Sequence, residues 1–164
     1  MKQRTGFLVI LGLLLTLTVS ACSLRFEPND DGTTRMEIRL DEAAMQTRIQ
    51  QSIRDPLVRE FVVELRQGFI EVSGTRENPQ SGNLDTLSYR LDLGAADGHM
   101  TAVFSNVVIN GFPLQPDWLA PWNENIANNL ANAGQNNPNA LFEQVVITEN
   151  DVLLVWRLLP GENQ

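Results

Sequence analysis

Residues 87–108, LSYRLDLGAADGHMTAVFSNVV, decide the fold, because two alternating apolar runs flank an Asp-Gly pair in the middle. Asp-Gly between such runs is a strong signal for a β-hairpin with a two-residue turn. A turn at Asp97-Gly98 pairs Ala95 with Met100, Leu93 with Ala102, Leu91 with Phe104 and Leu87 with Val108. Ser88, Arg90 and Asp92 then share the opposite face with Val103, Val107 and Ile109. Strands of about twelve residues are roughly 40 Å long and must twist or curl.

Two more hairpins follow the same reasoning. A turn at Gln67-Gly68 pairs Leu65 with Ile70, Val63 with Val72 and Phe61 with Gly74. The third hairpin, FEQVVITENDVLLVWRLL (142–159), turns near Asn150-Asp151. It is apolar on both faces, which predicts that other parts of the chain cover it on both sides.

Two one-sided helices are predicted. The first follows a strand in which Met36, Ile38 and Leu40 alternate with charged residues. It begins after the N-cap Asp41, carries Met45, Ile49 and Ile53 four residues apart, and ends before Pro56. The second runs from about Pro116 to Gly134 and places Trp118, Trp122, Ile126 and Leu130 four apart. Its tryptophans are either core anchors or, for one of them, the lining of an apolar cavity mouth.

A helix followed by a hairpin occurs twice, at 41–77 and at about 116–159, with the long hairpin between them. We therefore expect an α+β fold. Its predicted form is one long curved antiparallel sheet of about six to seven strands, wrapped on two helices that lie on its concave side.

The N-terminus, MKQRTGFLVILGLLLTLTVSAC, is typical of a secretory signal peptide: Lys2 and Arg4 precede an apolar run from Phe7 to Val19. Residues 19–22, VSAC, resemble the lipobox of bacterial lipoproteins. That resemblance implies cleavage before Cys22, a diacylglyceryl group on its thiol and usually an acyl group on the new amine. The alternative is an ordinary signal peptide with a chance cysteine. Cys22 is the only cysteine of the chain, so it has no disulfide partner.

The lipobox divides the chain into a signal peptide (1–21), a tether (22–33) and one globular α+β domain (34–164). The tether is polar, contains Pro28 and Gly32, and would reach roughly 20 Å if flexible. The expected location is the cell envelope, with the acyl groups on Cys22 inserted into the outer face of the cytoplasmic membrane or into the outer membrane.

The charge of the mature chain excludes several partners. All 20 Asp and Glu but only ten of the 12 cationic residues follow residue 21, which leaves a formal charge of −10. Such a surface repels nucleic acid and anionic lipid headgroups. Membrane contact is therefore expected from acyl chains or apolar surface.

No pattern in the chain indicates catalysis, a metal site or a cofactor. The single histidine, His99, follows the Asp97-Gly98 turn without a nucleophile signature nearby, and we expect it to be a solvated loop residue. One histidine and one lipidated cysteine do not make a usual zinc site. Phosphate-binding loops are absent and no carboxylate pair is marked, so the chain is not expected to be an enzyme.

Two segments carry a further resemblance: LDEAAMQ (40–46) after a strand and GFPLQPDWL (111–119) before a helix. They are similar to segments in small bacterial envelope proteins with a tubular lipid-binding, TULIP-like fold, of the LmeA, YpmS and YceB types. The resemblance implies a long sheet wrapped about a helix, with an elongated apolar groove for acyl chains. The residues expected to line such a groove are Leu87, Leu91, Phe104 and Ile126, with Trp118 and Trp122 near it.

Two functions remain open. The protein binds a lipid or another apolar ligand in a groove between helix and sheet, or it is a structural or adaptor lipoprotein that docks an envelope protein. Surplus apolar surface that lines a concavity of several hundred cubic ångströms favours the first, and an outward patch favours the second.

The lipobox gives the first testable prediction. Cys22→Ala removes the acylated thiol, so lipid labelling is lost and the protein fractionates away from membranes. Mass spectrometry of the mature N-terminus measures this, because the unmodified variant lacks the acyl masses. An unmodified mature N-terminus other than Cys22 in the unchanged protein would contradict the anchor.

Overall fold

A computed structural model of the chain describes residues 22–53, 55–135 and 138–160, and the predicted signal peptide, residues 1–21, lies outside this part. The described residues form two helices, α1 (Glu42–Ser52) and α2 (Pro116–Gln135). The strands are β1 (Cys22–Pro28), β2 (Thr34–Asp41), β3 (Val58–Arg66), β4 (Phe69–Glu77), β5 (Leu84–Ala96), β6 (His99–Ile109), β7 (Phe112–Pro113), β8 (Ala140–Ile147) and β9 (Asp151–Leu158). The fold is α+β and mostly strand, as predicted.

The strands form two antiparallel sheets, with orders β1-β2-β9-β8 and β3-β4-β5-β6-β7. The prediction of one sheet with six to seven strands is wrong. The hairpin turns of the five-stranded sheet meet the edge of β8 end-on: Gly68 N–H donates to the carbonyl of Ile147 (3.0 Å), and Phe142 N–H donates to the carbonyl of Gly98 (2.8 Å). Because β8 receives turns there and not a strand, the sheet does not continue.

The hairpin registers confirm the predicted residue pairs at most positions. The first hairpin pairs Leu65 with Ile70, Val63 with Val72 and Phe61 with Gly74. The second pairs Ala95 with Met100, Leu93 with Ala102 and Leu91 with Phe104. Asp97 and Gly98 both have positive φ (53° and 76°), the backbone that an Asp-Gly turn of type I′ requires.

One register prediction is wrong, because β6 contains a bulge. Leu87 faces Ile109, not Val108, and the register shifts between Ser88 and Arg90. The extra residue lies at Asn106, whose φ is 51°. A bulge moves the following side chains to the other face, so Val107 and Ile109 join the apolar face of β5 and do not lie beside Ser88. Val107 is accordingly buried.

The segment predicted to be a flexible tether instead begins with a strand. β1 pairs along its whole length with β2, from Cys22 opposite Leu40 to Pro28 opposite Thr34. The pairing sets opposite charges face to face, since Arg25 lies opposite Glu37 and Glu27 lies opposite Arg35. Opposite charges therefore lie across this pair, and each residue also forms an ion pair along its own strand, Arg25 with Glu27 and Arg35 with Glu37.

The core lies where α1 and one face of each sheet meet. Asp41 caps α1 by accepting the N–H of Ala44 (2.8 Å), and Met45 is buried while Ile49 and Ile53 are half-buried. The packing predicted for this helix is confirmed. The buried residues around it come from both sheets: Leu40, Val63, Leu65, Ile70, Val72, Phe142, Ile147, Val152 and Leu154.

The third hairpin is covered on both faces of β9, as its pattern predicts. Leu154 and Val155 point to opposite faces and both are buried.

In the turn of this hairpin, Thr148 Oγ1 donates to Asp151 Oδ1 (2.8 Å). This hydrogen bond lowers the pKa of Asp151 below its usual range, and the hydrogen bond from Arg39 has the next largest effect in the same direction.

Each helix also closes one edge of the five-stranded sheet. At the β3 edge, Gln46 of α1 donates to the Phe61 carbonyl (2.5 Å) and accepts the Val63 N–H (2.7 Å). At the β6 edge, Asn123 of α2 accepts the Phe104 N–H (2.7 Å) and donates to the Phe104 carbonyl (3.0 Å). Each carboxamide occupies the position of a neighbouring strand.

We expect Asn123→Ala to lower the free energy of unfolding by about 1–3 kcal/mol, because both backbone groups of Phe104 lose their partners. Urea unfolding followed by tryptophan fluorescence measures the change. Asn128→Ala, at an exposed position of the same helix, is the matched control and should stay within about 0.5 kcal/mol of the unchanged protein. Equal losses in the two variants would show that the edge pairing contributes little.

Candidate functional site

Helix α2 lies along the edge of β6 and is held there by its own side chains. The Asn123 carboxamide pairs with Phe104, and the helix is turned so that the residues on its inner side are Leu119, Asn123, Ile126 and Leu130. Just before the helix, Leu114 N–H donates to the Val107 carbonyl (2.8 Å). The β6 edge is therefore closed by β7, by this backbone bond and then by the helix.

A second contact holds the other end of α2. A Cβ atom placed on Gly134 would overlap Nδ1 of His99, so the imidazole ring packs directly on the glycine. His99 Nδ1 is buried and has no hydrogen-bond partner among the described residues. The prediction that His99 is a solvated loop residue is wrong, because this residue opens β6 and the end of α2 covers its ring.

The distance between the Asn123–Phe104 contact and the Gly134–His99 contact is the same along β6 as along α2. The five residue steps of β6 from His99 to Phe104 span about 16 Å at 3.3 Å per residue. The eleven residue steps of α2 from Asn123 to Gly134 span about 16 Å at 1.5 Å per residue. The helix therefore runs antiparallel to β6 and is held at both ends of this span.

A groove of about 530 Å³ lies between α2 and the beginning of β6. On the helix side Ala127 and Ala131 line it, and on the strand side Met100, Ala102 and Val103 do so. Small helical side chains between the two contacts leave space that longer side chains would fill. The rest of the lining is Ala96, Asp97, His99, Thr101, Asn123 and Glu124.

The electrostatic character of this groove, which we call the α2–β6 groove, is acidic. Its lining contains the carboxylates of Asp97 and Glu124 and no arginine or lysine. An anionic headgroup placed there would meet like charges and no cation. The groove can therefore take an apolar segment, or an uncharged or cationic group, better than a phosphate.

The residues predicted to line a ligand groove come together only in part. Leu91 and Phe104 are cross-strand neighbours, and Phe104 makes an edge contact with Tyr89 (centroids 4.9 Å apart). Ile126 faces inward from α2, whereas Trp118 and Trp122 are 69% and 51% exposed. The Asn123 contact sets the rotation of the helix, and this puts the inner face one residue away from the tryptophans.

A smaller cleft of about 150 Å³ lies beside Leu87, which is part of the predicted set. Its apolar lining includes Ile53, Phe61, Val72 and Tyr89. Burial raises the pKa of the Tyr89 hydroxyl to about 12, so this residue stays neutral at physiological pH. By itself the cleft has the volume of a benzene-sized group. It shares Phe61, Gly74 and Leu87 with a neighbouring cleft of about 480 Å³.

Sequence reasoning misses the residues that form the α2–β6 groove. Ala127, Ala131 and Gly134 follow Asn123 at spacings of four, four and three, which puts small residues on one side of a helix. That spacing is the signal that indicates a gap between helix and sheet. The hydrophobic pattern favours Ile126 and Leu130 instead, because these are the larger apolar side chains.

The described residues show neither a metal-binding cluster nor a membrane-spanning helix. No group of three or more His, Cys, Asp or Glu side chains in the described ranges lies close enough to hold a metal ion. Within the same ranges, neither helix has both the length and the apolar character that a bilayer crossing needs. Cys22 is the first residue of β1.

Comparisons of the chain with protein-family models, with curated proteins and with solved structures find no match.

The contact between His99 and Gly134 predicts an unusual response to alanine. At an ordinary helical position Gly→Ala gains about 1 kcal/mol from helix propensity. Gly134→Ala should instead lower the free energy of unfolding by about 1–3 kcal/mol, because its methyl group overlaps the imidazole. Urea unfolding measures the difference.

The double variant Gly134→Ala/His99→Ala tests the cause, since the ring is then absent. It should be more stable than the His99→Ala single variant by the usual helix-propensity gain. Equal destabilisation by Gly134→Ala with and without the ring would mean that α2 does not pack on His99.

Proposed function

We propose that this chain is a membrane-anchored cell-envelope lipoprotein that holds a lipid or another apolar ligand in the α2–β6 groove. The observation that carries the proposal is the groove itself, which lies between a helix and a sheet and is lined by six alanine, methionine and valine residues and by five polar or charged ones. Its volume of about 530 Å³ falls within the range of small-molecule sites, about 300–1,000 Å³. The anchor is the acylated Cys22.

Burial of an apolar occupant supplies the free energy of binding. Each buried methylene contributes about 0.8 kcal/mol, so a segment of ten methylenes gains roughly 8 kcal/mol before the costs of association. No catalytic step is needed for such a role. The protein would hold or pass on the ligand at the surface of the membrane that carries it.

The charges restrict the class of ligand. Asp97 and Glu124 lie in the groove, and the mature chain carries a formal charge of −10 from ten arginines and 20 acidic residues. A bound lipid would thus be uncharged, or would keep an anionic headgroup in water outside the groove. Neutral lipids and the acyl portion of phospholipids both satisfy this condition.

Native mass spectrometry of the intact lipidated protein, released from its membrane, tests the proposal. We expect a non-covalently bound neutral lipid or phospholipid at near-stoichiometric level, in addition to the covalent acyl groups seen after denaturation. Ala127→Leu/Ala131→Leu fills the groove and should reduce the bound lipid at least fivefold. The matched control is Asn128→Leu/Asn132→Leu, at two exposed positions of the same helix with the same spacing, and it should keep the lipid.

An empty protein, or the same loss in the control variant, would contradict ligand binding in the groove. Lipid that persists when the groove is filled would place the ligand elsewhere. A folded state must be retained in each variant, and urea unfolding establishes this.

A second candidate function rests on a different observation. Trp118 and Trp122 are four residues apart on the outer side of α2 and are more than half exposed. Exposed tryptophans are frequent anchors in protein interfaces. The protein would then be an adaptor that docks an envelope protein through α2. In that case native mass spectra show a bound protein that Trp118→Ala/Trp122→Ala removes, while the lipid content is unchanged.

A further inference from the structure

The outer edge of β1 differs from the other sheet edges of the described chain. Gln46 and Glu42 pair with the β3 edge, β7 and Asn123 cover the β6 edge, and two hairpin turns bond to the β8 edge. In the ranges that the structure describes, no strand pairs with β1 on the side away from β2. An uncovered edge presents free backbone donors and acceptors and can pair with another strand.

The hydrogen-bond alternation shows which backbone groups are free. Asn29 N–H donates to the Thr33 carbonyl (2.9 Å), so this pair is bonded within the hairpin. Since bonding alternates along an antiparallel pair, the next bonded residues of β1 are Glu27, Arg25 and Ser23. The backbone groups of Leu24, Phe26 and Pro28 therefore point outward. Pro28 has no N–H, and it lies where none is needed for pairing with β2.

The charges of β1 are ordered symmetrically about Phe26. Arg25 precedes this residue and Glu27 follows it, and the two side chains form an ion pair on the same face of the strand. Charged side chains on a strand edge usually oppose pairing with a second strand, but Arg25 and Glu27 have opposite signs. Here an antiparallel copy centred on Phe26 would place Arg25 opposite Glu27 of the second copy, and Glu27 opposite its Arg25.

The opposite face of β1 is apolar and uncovered. Leu24 is 56% exposed and Phe26 is 54% exposed, although both lie on the face of the sheet that carries Ile38 and Trp156. In the same antiparallel register, Phe26 faces Phe26 of the second copy and Leu24 faces its Pro28. Both exposed side chains would then gain a cross-strand apolar neighbour.

We infer that β1 is the interface of a symmetric homodimer, in which two copies pair antiparallel about Phe26 and join their four-stranded sheets into one sheet of eight strands. A two-fold axis through the Phe26 pair makes every contact occur twice, as in isologous dimers. The pairing supplies four backbone hydrogen bonds, two between the Phe26 residues and one from each Leu24 N–H to the Pro28 carbonyl of the other copy.

So small an interface is weak in solution. Anchoring both copies to one membrane raises their effective concentration, and a weak pairing can then be occupied without further contacts. The inference rests on the lipid anchor of the proposed function, but it does not depend on what the α2–β6 groove binds, because the groove lies on the other sheet.

Thiol crosslinking of the lipidated protein in its own membrane tests the register. Phe26→Cys brings two thiols together across the axis, so a short bismaleimide should convert at least a quarter of the protein to dimer. Leu84→Cys is the control, since Leu84 is similarly exposed (58%) but lies on β5 of the other sheet. It should give at least fivefold less dimer.

Charge exchange tests the pairing of Arg25 with Glu27. In the Phe26→Cys background, Arg25→Glu places like charges opposite each other and should reduce crosslinking at least fivefold. Adding Glu27→Arg restores opposite charges and should restore most of the yield. Resistance to limited proteolysis establishes that each variant is folded.

Three outcomes would overturn the dimer. The first is equal crosslinking of the Phe26→Cys and Leu84→Cys variants. The second is a charge-exchanged double variant that stays as low as Arg25→Glu alone. The third is a monomer in which the thiol at position 26 is shielded from a water-soluble maleimide, because the membrane itself would then cover Leu24 and Phe26.

Discussion

The pairing of a carboxamide side chain with the backbone of an edge strand is the interaction on which this architecture depends. Gln46 closes the β3 edge and Asn123 closes the β6 edge of the same sheet. A five-stranded sheet with two open edges would expose rows of unpaired N–H and C=O groups. A primary amide has both a donor and an acceptor, so one side chain can replace a residue of a neighbouring strand. The helices thus belong to the sheet edges and do not simply cover a face.

This placement explains why a groove exists. A helix that packs on a sheet face buries large side chains and leaves little space. Helix α2 is held instead at two points, by Asn123 on Phe104 and by Gly134 on His99. Between these points it presents Ala127 and Ala131, whose methyl groups do not fill the distance to β6. The polar contact at one end and the glycine contact at the other therefore keep the concavity open.

Local pairing could be predicted from the sequence, but the association of distant elements could not. Turn chemistry and alternation determine which residues of a hairpin face each other, and Leu65–Ile70 and Leu91–Phe104 follow from them. The bulge at Asn106 has no such signal, since asparagine is also common in ordinary turns and caps. Sequence reasoning misses the rotation of α2 because its inner face contains a polar residue, Asn123, whose partner is backbone. A hydrophobic pattern cannot indicate a side chain that is buried in order to pair with a strand edge.

The ordering of β1 changes what an acylated Cys22 would do. A flexible tether would let the domain rotate freely at roughly 20 Å from the membrane, whereas β1 is paired with β2 from its first residue. The sheet itself would then be fixed close to the lipid surface. In the antiparallel dimer, the two-fold axis is normal to the joined sheet, and about eight residues separate the two Cys22 positions along the strand direction, which is about 26 Å at 3.3 Å per residue. If both Cys22 residues of the proposed dimer are acylated, both acyl groups enter one bilayer when this sheet lies along the membrane plane, and the register of β1 would then also set the orientation of the domain.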